Sequence, residues 1–211
     1  MLESRFNCVL LGLSGHAYVV AEAAEMLGHE VIGYTEFEPK QEAKMKFPYL
    51  GFEGDESFWQ ESAYHHFLLG IGDNQIRQKV FELVKANGAH CLQLSHLNAS
   101  VSKFATIGEG TVVMRGACIN PFANIGKAAI INTSSSVDHD CEIADFVHIA
   151  PGAVLCGDVK VGEGSFIGAH SVIKEGTTIG KNVTVGAGSV ILRDVPDHTI
   201  TWGNPAKKVK K

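Results

Sequence analysis

Ten histidines are spread along this 211-residue chain, and imidazole is the side chain whose ordinary pKa suits proton transfer near neutrality. His139 stands out by its neighbours, in Ser136-Val137-Asp138-His139-Asp140-Cys141. A carboxylate beside the ring can orient it and stabilise its protonated form. His139 and Asp140 are therefore the candidate catalytic pair, a general base and its supporting acid; by spacing alone a solvated polar corner would look the same. His148 stands directly before Ile149, and alone it fits a hydrogen-bonded structural histidine equally well.

A second constellation is Gly12-Leu13-Ser14-Gly15-His16, between an apolar run and a segment with helical spacing. Backbone amides at a helix N-terminus can receive a phosphate or a sugar. The loop is not GxGxxG, which disfavours a nicotinamide or flavin dinucleotide, and a structural tight turn would also read this way. The five cysteines are odd in number and never form CxxC, so neither a disulfide framework nor a structural zinc site is expected. Cys141 and Cys156 lack a clear basic partner and read as small core residues.

The elements that must position these residues come in two kinds. From Ile107 to Ile191, every sixth residue is Ile, Val or Leu, fifteen in register, with a chance probability on the order of 10⁻⁹. Six is a multiple of the strand period of two, so each hexad reads as a short strand plus a corner, with one aliphatic turned inward. Small residues follow the aliphatic at Gly108, Gly126, Ala144, Gly162 and Gly180, where a tight corner needs little side chain or an unusual φ. Three hexads close one triangular coil, which predicts about five coils over 107–196, stacked ~4.8 Å apart.

Residues 1–100 alternate differently. Strands are predicted at Phe6–Leu11, Val31–Thr35, Phe67–Ile71 and His90–Leu94. Helices are predicted over Val19–Leu27 and, capped by Asp73, over Asn74–Ala86. This is a small Rossmann-like α/β domain with a parallel sheet, ahead of a β-helix over 101–211.

The hexads, the closing Gly203-Asn204-Pro205-Ala206-Lys207, the Gly12–His16 loop and Gly70-Ile71-Gly72-Asp73-Asn74 with Arg77 together resemble one family. It is the PglD/NeuD-type hexapeptide-repeat acyltransferases, built on a left-handed parallel β-helix. The resemblance implies a homotrimer that uses acetyl-CoA to acetylate the amino group of a nucleotide-linked 4-amino-4,6-dideoxy sugar. An O-acetyltransferase of sialic acid or another sugar would share these motifs, and a non-catalytic scaffold would keep only the aliphatic ladder.

By this resemblance Val137-Asp138-His139-Asp140-Cys141 carries the general base and its acidic neighbour. His148 touches the thioester region of acetyl-CoA, and Gly157, Ala169 and Ala187 line its pantetheine. Ser14, Gly15 and His16 touch the nucleotide sugar. Glu36 falls on the first of two acidic positions used for base recognition, while Phe37 occupies the second. A zinc triad of His139, His148 and His170, as in β-helical carbonic anhydrases, lacks the expected i, i+5 pair, so no metal is expected.

Bulk composition excludes other partners. Residues 1–100 hold 7 basic and 13 acidic side chains and residues 101–211 hold 11 and 10, so neither half has a nucleic-acid binder's basic excess. No apolar stretch approaches the ~18 residues of a membrane span, and a soluble cytoplasmic enzyme of glycan biosynthesis is expected.

Overall fold

The computed structural model describes residues 5–61 and 66–208. Its first part runs β1 (Asn7–Leu11), α1 (Gly15–Met26), β2 (Glu30–Thr35), α2 (Glu56–Glu61), β3 (His66–Leu69), α3 (Asn74–Ala86) and β4 (His90–Cys91). The strands form one parallel sheet in the order β2-β1-β3-β4. Val9, Leu10 and Leu11 of β1 and Phe67, Leu68 and Leu69 of β3 are all buried, as a sheet covered on both faces requires. Asp73 caps α3, its Oδ1 accepting from the Gln75 and Ile76 N–H groups at 3.0 and 2.9 Å.

Two strand ends differ from expectation. β3 stops at Leu69, and Gly70 makes the last bond of the ladder, its N–H donating to Leu11 O of β1 at 2.8 Å. The last strand is only His90–Cys91, because Leu94–Ser95 pairs instead with Val112–Val113. The second architecture thus begins at Leu94.

From there the chain winds a parallel β-solenoid of about six coils, the five expected over 107–196 preceded by one that begins at Leu94. Two-residue rungs stack into three sheets, and the aliphatic ladder from Val113 to Ile191 is its buried core, with Ile107 partly buried at the start. The corners follow a different rule from the one the small residues suggest. The left-handed residue lies three positions after each inward aliphatic from Ile107 to Val185, at Gly110, Gly116 and Gly152 but also at Phe122, Ala128, Asp140, Phe146 and His170. Gly108 and Gly162, directly after the aliphatic, answer to space instead: a Cβ on either would sit 2.6 Å from the backbone of the next coil.

The three faces of the prism have distinct outer surfaces. One presents Leu94, Val112 and Ile130, which are buried against Ala17, Val20, Ala21 and Ala24 of α1. The next presents Ser100, Cys118, Ser136, Val154, Val172 and Val190, small residues without a cover. The third presents Thr106, Asn124, Glu142, Lys160 and Thr178, with Lys160 and Glu142 paired at 2.9 Å. We call these the covered, small-residue and polar faces.

Arg77 locks the two parts together. The residue is 1% exposed, and its guanidinium donates to Ala128 O at 2.8 Å and Phe146 O at 2.9 Å, corners of successive coils. It also donates to Ile71 O, Gly72 O and Asn74 Oδ1. Asn74 Nδ2 continues the series, reaching Gly164 O at 2.9 Å one coil further on.

Candidate active site

The coil that enters the edge between the small-residue and polar faces carries His139. Asp140 occupies the left-handed corner at φ 59°, and its Oδ2 lies 2.8 Å from His139 Nδ1. Asp138 Oδ1 accepts from the His139 N–H at 2.8 Å and from Asn120 Nδ2 at 2.7 Å, which fixes the backbone under the ring. The hydrogen bond to Asp140, then the charge of Asp138, hold the His139 pKa above the ordinary imidazole value. Both side chains are exposed, and the bond to Asp140 engages Nδ1, which leaves Nε2 unengaged by that pair. Gly157 stacks one coil above; a Cβ there would fall 2.6 Å from His139 Cε1 and 2.7 Å from Nε2.

A second cluster lies in the crease where the α/β part meets the covered face. Ser14 precedes α1, but its Oγ bonds Gly70 O at 3.2 Å instead of capping the helix, tying the two glycine loops together. Glu36 supports the same loop, its Oε1 accepting from Leu13 N at 2.9 Å. Gly15 is exposed, and His16 turns inward toward His148, with ring centroids 6.3 Å apart.

Asn132 sets the tautomer of His148. Its Oδ1 accepts from Thr133 N at 2.8 Å, which leaves Nδ2 to donate to His148 Nε2 at 3.1 Å. The neutral ring then carries its proton on Nδ1. That nitrogen is buried with no partner in full hydrogen-bond geometry, as is His16 Nε2, although the Gly72 backbone is close enough to the His148 ring to favour its protonated form as a hydrogen-bonding group. Burial, then the Arg77 charge, push the His16 pKa down to about 4, and burial, Arg77 and His16 push His148 down to about 3. Both rings are neutral near pH 7.

The expected site residues thus fall into groups. Ser14, Gly15, His16 and Glu36 lie on or against the loop before α1, with His16 facing His148 of the solenoid; His139, Asp140 and Gly157 share one prism edge. Ala169 and Ala187 stand on the other edge of the small-residue face, half-buried and exposed, and within one chain they do not meet Gly157. Arg77 and Asn132 carry structural roles that sequence reasoning left unassigned. For Arg77 the signal was present: it shares the helical stripe of Val80, Phe81 and Val84, all buried, and a cation on an apolar stripe needs a reason. Among the described residues no group of three His, Cys, Asp or Glu side chains is placed to hold a metal ion, and no helix is long and apolar enough to cross a membrane.

Comparison with known proteins finds matches in both parts of the chain. The PglD N-terminal domain model matches residues 7–84, and the bacterial transferase hexapeptide model (six repeats) matches residues 158–193. GDP-perosamine N-acetyltransferase of Escherichia coli O157:H7 is 33% identical over 88 residues, which is 42% of this chain and only 40% of that protein. The acetyltransferase domain of PglB from Neisseria gonorrhoeae, solved with acetyl coenzyme A, is 35% identical with a TM-score of 0.91, covering 98% of this chain and all of that one. PerB from Caulobacter crescentus, solved with CoA and GDP-perosamine, is 36% identical with a TM-score of 0.92, covering 97% of each. With both parts matched and the likeness running the length of the chain, the protein belongs to the PglD/NeuD-type hexapeptide-repeat acyltransferases.

Proposed function

We propose that this protein transfers acetyl from acetyl-CoA to the amino group of a nucleotide-linked 4-amino-4,6-dideoxy sugar. The observation that carries the reading is the His139–Asp140 pair at 2.8 Å on an exposed edge. Asp140 holds Nδ1 and stabilises the imidazolium, so Nε2 is the atom that takes the amine proton. Acetyl-CoA supplies the activated thioester carbonyl. Gly157, Ala169 and Ala187 suit its pantetheine arm, since none carries more than a methyl and backbone groups stay within reach. Attack by the amine is direct, with no residue of the chain acylated.

Ser14, Gly15 and His16 receive the nucleotide sugar, with Glu36 fixing their loop. His148 offers its Nδ1–H in the same crease, where the two substrates meet. The crease and His139 lie on different sides of one prism, so a complete site draws them from neighbouring copies. A homotrimer closed on the small-residue face supplies that arrangement. The E. coli and C. crescentus relatives are named for, or solved with, GDP-perosamine, which puts a GDP-linked sugar first among acceptors.

The test is CoA release with GDP-, UDP- and dTDP-linked 4-amino sugars and sialic acid, for wild type and His139→Ala. The variant should lose at least about 10²-fold in kcat with acetyl-CoA binding intact. Near-wild-type turnover would reject His139 as the base, and acetylation of sialic acid alone would replace N-transfer by O-transfer.

A further inference from the structure

Phe104 and Phe122 stack on each other with centroids 5.6 Å apart, yet they are 55% and 64% exposed. Lys103 Nζ lies 5.0 Å over the Phe104 ring. Phe122 holds a left-handed corner at φ 64°, a position that elsewhere in the solenoid falls mostly to Gly, Asn, Asp or another small residue and is costly for a bulky side chain. The pair stands on the edge that carries His139, in the preceding coils; Asp140 N–H donates to Pro121 O at 3.3 Å.

The prism geometry states what this pair can meet. The covered face is occupied by the chain's own α/β part and the polar face is charged, so the small-residue face is the one left to pack on copies. Three copies closed about an axis parallel to the prism, with that face inward, bring the His139 edge of one against the opposite edge of the next at the same coil level. At the level of Phe104 and Phe122 that opposite edge carries Leu97, 61% exposed, and Arg115. Beside it lies the outer stripe of α1, with Val19 and Met26 exposed and Glu22 bonded to Arg115 at 3.5 Å.

We infer that Phe104 and Phe122 form an intersubunit buckle that seats on Leu97, Arg115 and the Val19–Met26 stripe of the next copy. Apolar surface meets apolar surface, the rings accept the Arg115 cation, and Lys103 approaches the partner's Glu22. The consequence is positional. The partner's α1 begins at the Ser14-Gly15-His16 loop, so gripping that helix sets the substrate loop against His139. The inference rests on the trimer proposed above.

The test is the double variant Phe104→Ser/Phe122→Asn, since Asn suits a left-handed corner better than Phe and the coil is kept. Light scattering over a dilution series, with KM for each substrate, reads the outcome. Assembly should need at least tenfold more protein, with turnover and acetyl-CoA binding falling together on dilution, since Gly157 and the Ala169–Ala187 edge meet only between copies. Leu97→Ser/Val19→Ser, on the other side of the contact, should shift assembly in the same direction. An unchanged assembly midpoint overturns the buckle, and an unchanged midpoint with a raised nucleotide-sugar KM assigns the rings to substrate instead. A wild type that is monomeric at every concentration removes the trimer itself, a failure distinct from that of the buckle.

Discussion

His139 Nδ1 and Asp140 Oδ2 lie 2.8 Å apart although the residues are adjacent in sequence, because the left-handed corner at Asp140 folds its side chain back over the preceding ring. The carboxylate raises the imidazole pKa above its ordinary value. A base works in its neutral form, so kcat/KM should rise with pH through an inflection above about 6.5. Asp140→Asn removes the largest cause of the shift. Its pH–rate profile should move its acid limb to lower pH while the plateau falls about tenfold or more. An acid limb that stays in place would separate Asp140 from the titration of His139.

Gly157 faces the same ring from the coil above, and a methyl there would lie 2.6 Å from His139 Cε1. The ring is exposed and can swing aside, so Gly157→Ala should leave the melting temperature within a few degrees. Catalysis has no such latitude, since a displacement near 1 Å can cost about 10²-fold. Steady-state kinetics beside a thermal melt decides it: full activity in the variant would mean that the ring does not work from this position.

Arg77 satisfies the Ala128 and Phe146 carbonyls, both in the buried joint. Arg77→Met fills similar space and leaves both without this donor, at about 1–3 kcal/mol for each buried unsatisfied group. Chemical denaturation should show a loss of about 3 kcal/mol or more. Arg77→Lys should recover only part of it, because an ammonium cannot span the two carbonyls as the planar fork does. A loss under about 1 kcal/mol for Met would mean that apolar packing alone holds the joint.

The sequence pattern carried the architecture because both periods are set by what is buried. The inward aliphatic must recur every six residues, and the strands of the α/β sheet must be apolar on both faces. It misplaced the corners because a small residue answers two needs, close approach and positive φ, which in this solenoid fall two positions apart. Gly108 shows the first and Gly110 the second. The His139–Asp140 pair was legible because it is local. The facing of His16 and His148 was not, since it depends on how two separately patterned parts dock, which Arg77, Asn74 and the Leu94–Ile130 surface decide and no spacing along the chain records.

That docking has a cost in acid. His16 and His148 are held neutral in the joint, with pKa values near 4 and 3 against an ordinary 6.5. Between those values the unfolded chain binds protons that the folded one does not, so stability rises with pH across the window. It is fully present above about pH 6.5 and is lost as the pH falls. At pH 5 each histidine should cost about 1–2 kcal/mol, at 1.36 kcal/mol per pKa unit. Carboxylates protonate over part of the same range, so the measurement is a difference: denaturation of wild type and His16→Asn/His148→Gln at pH 7 and pH 5. The wild type should lose about 2–4 kcal/mol more than the double variant. An equal loss in both would mean that the crease admits protons or water to these rings, and that their unpartnered nitrogens are already solvated before any substrate arrives.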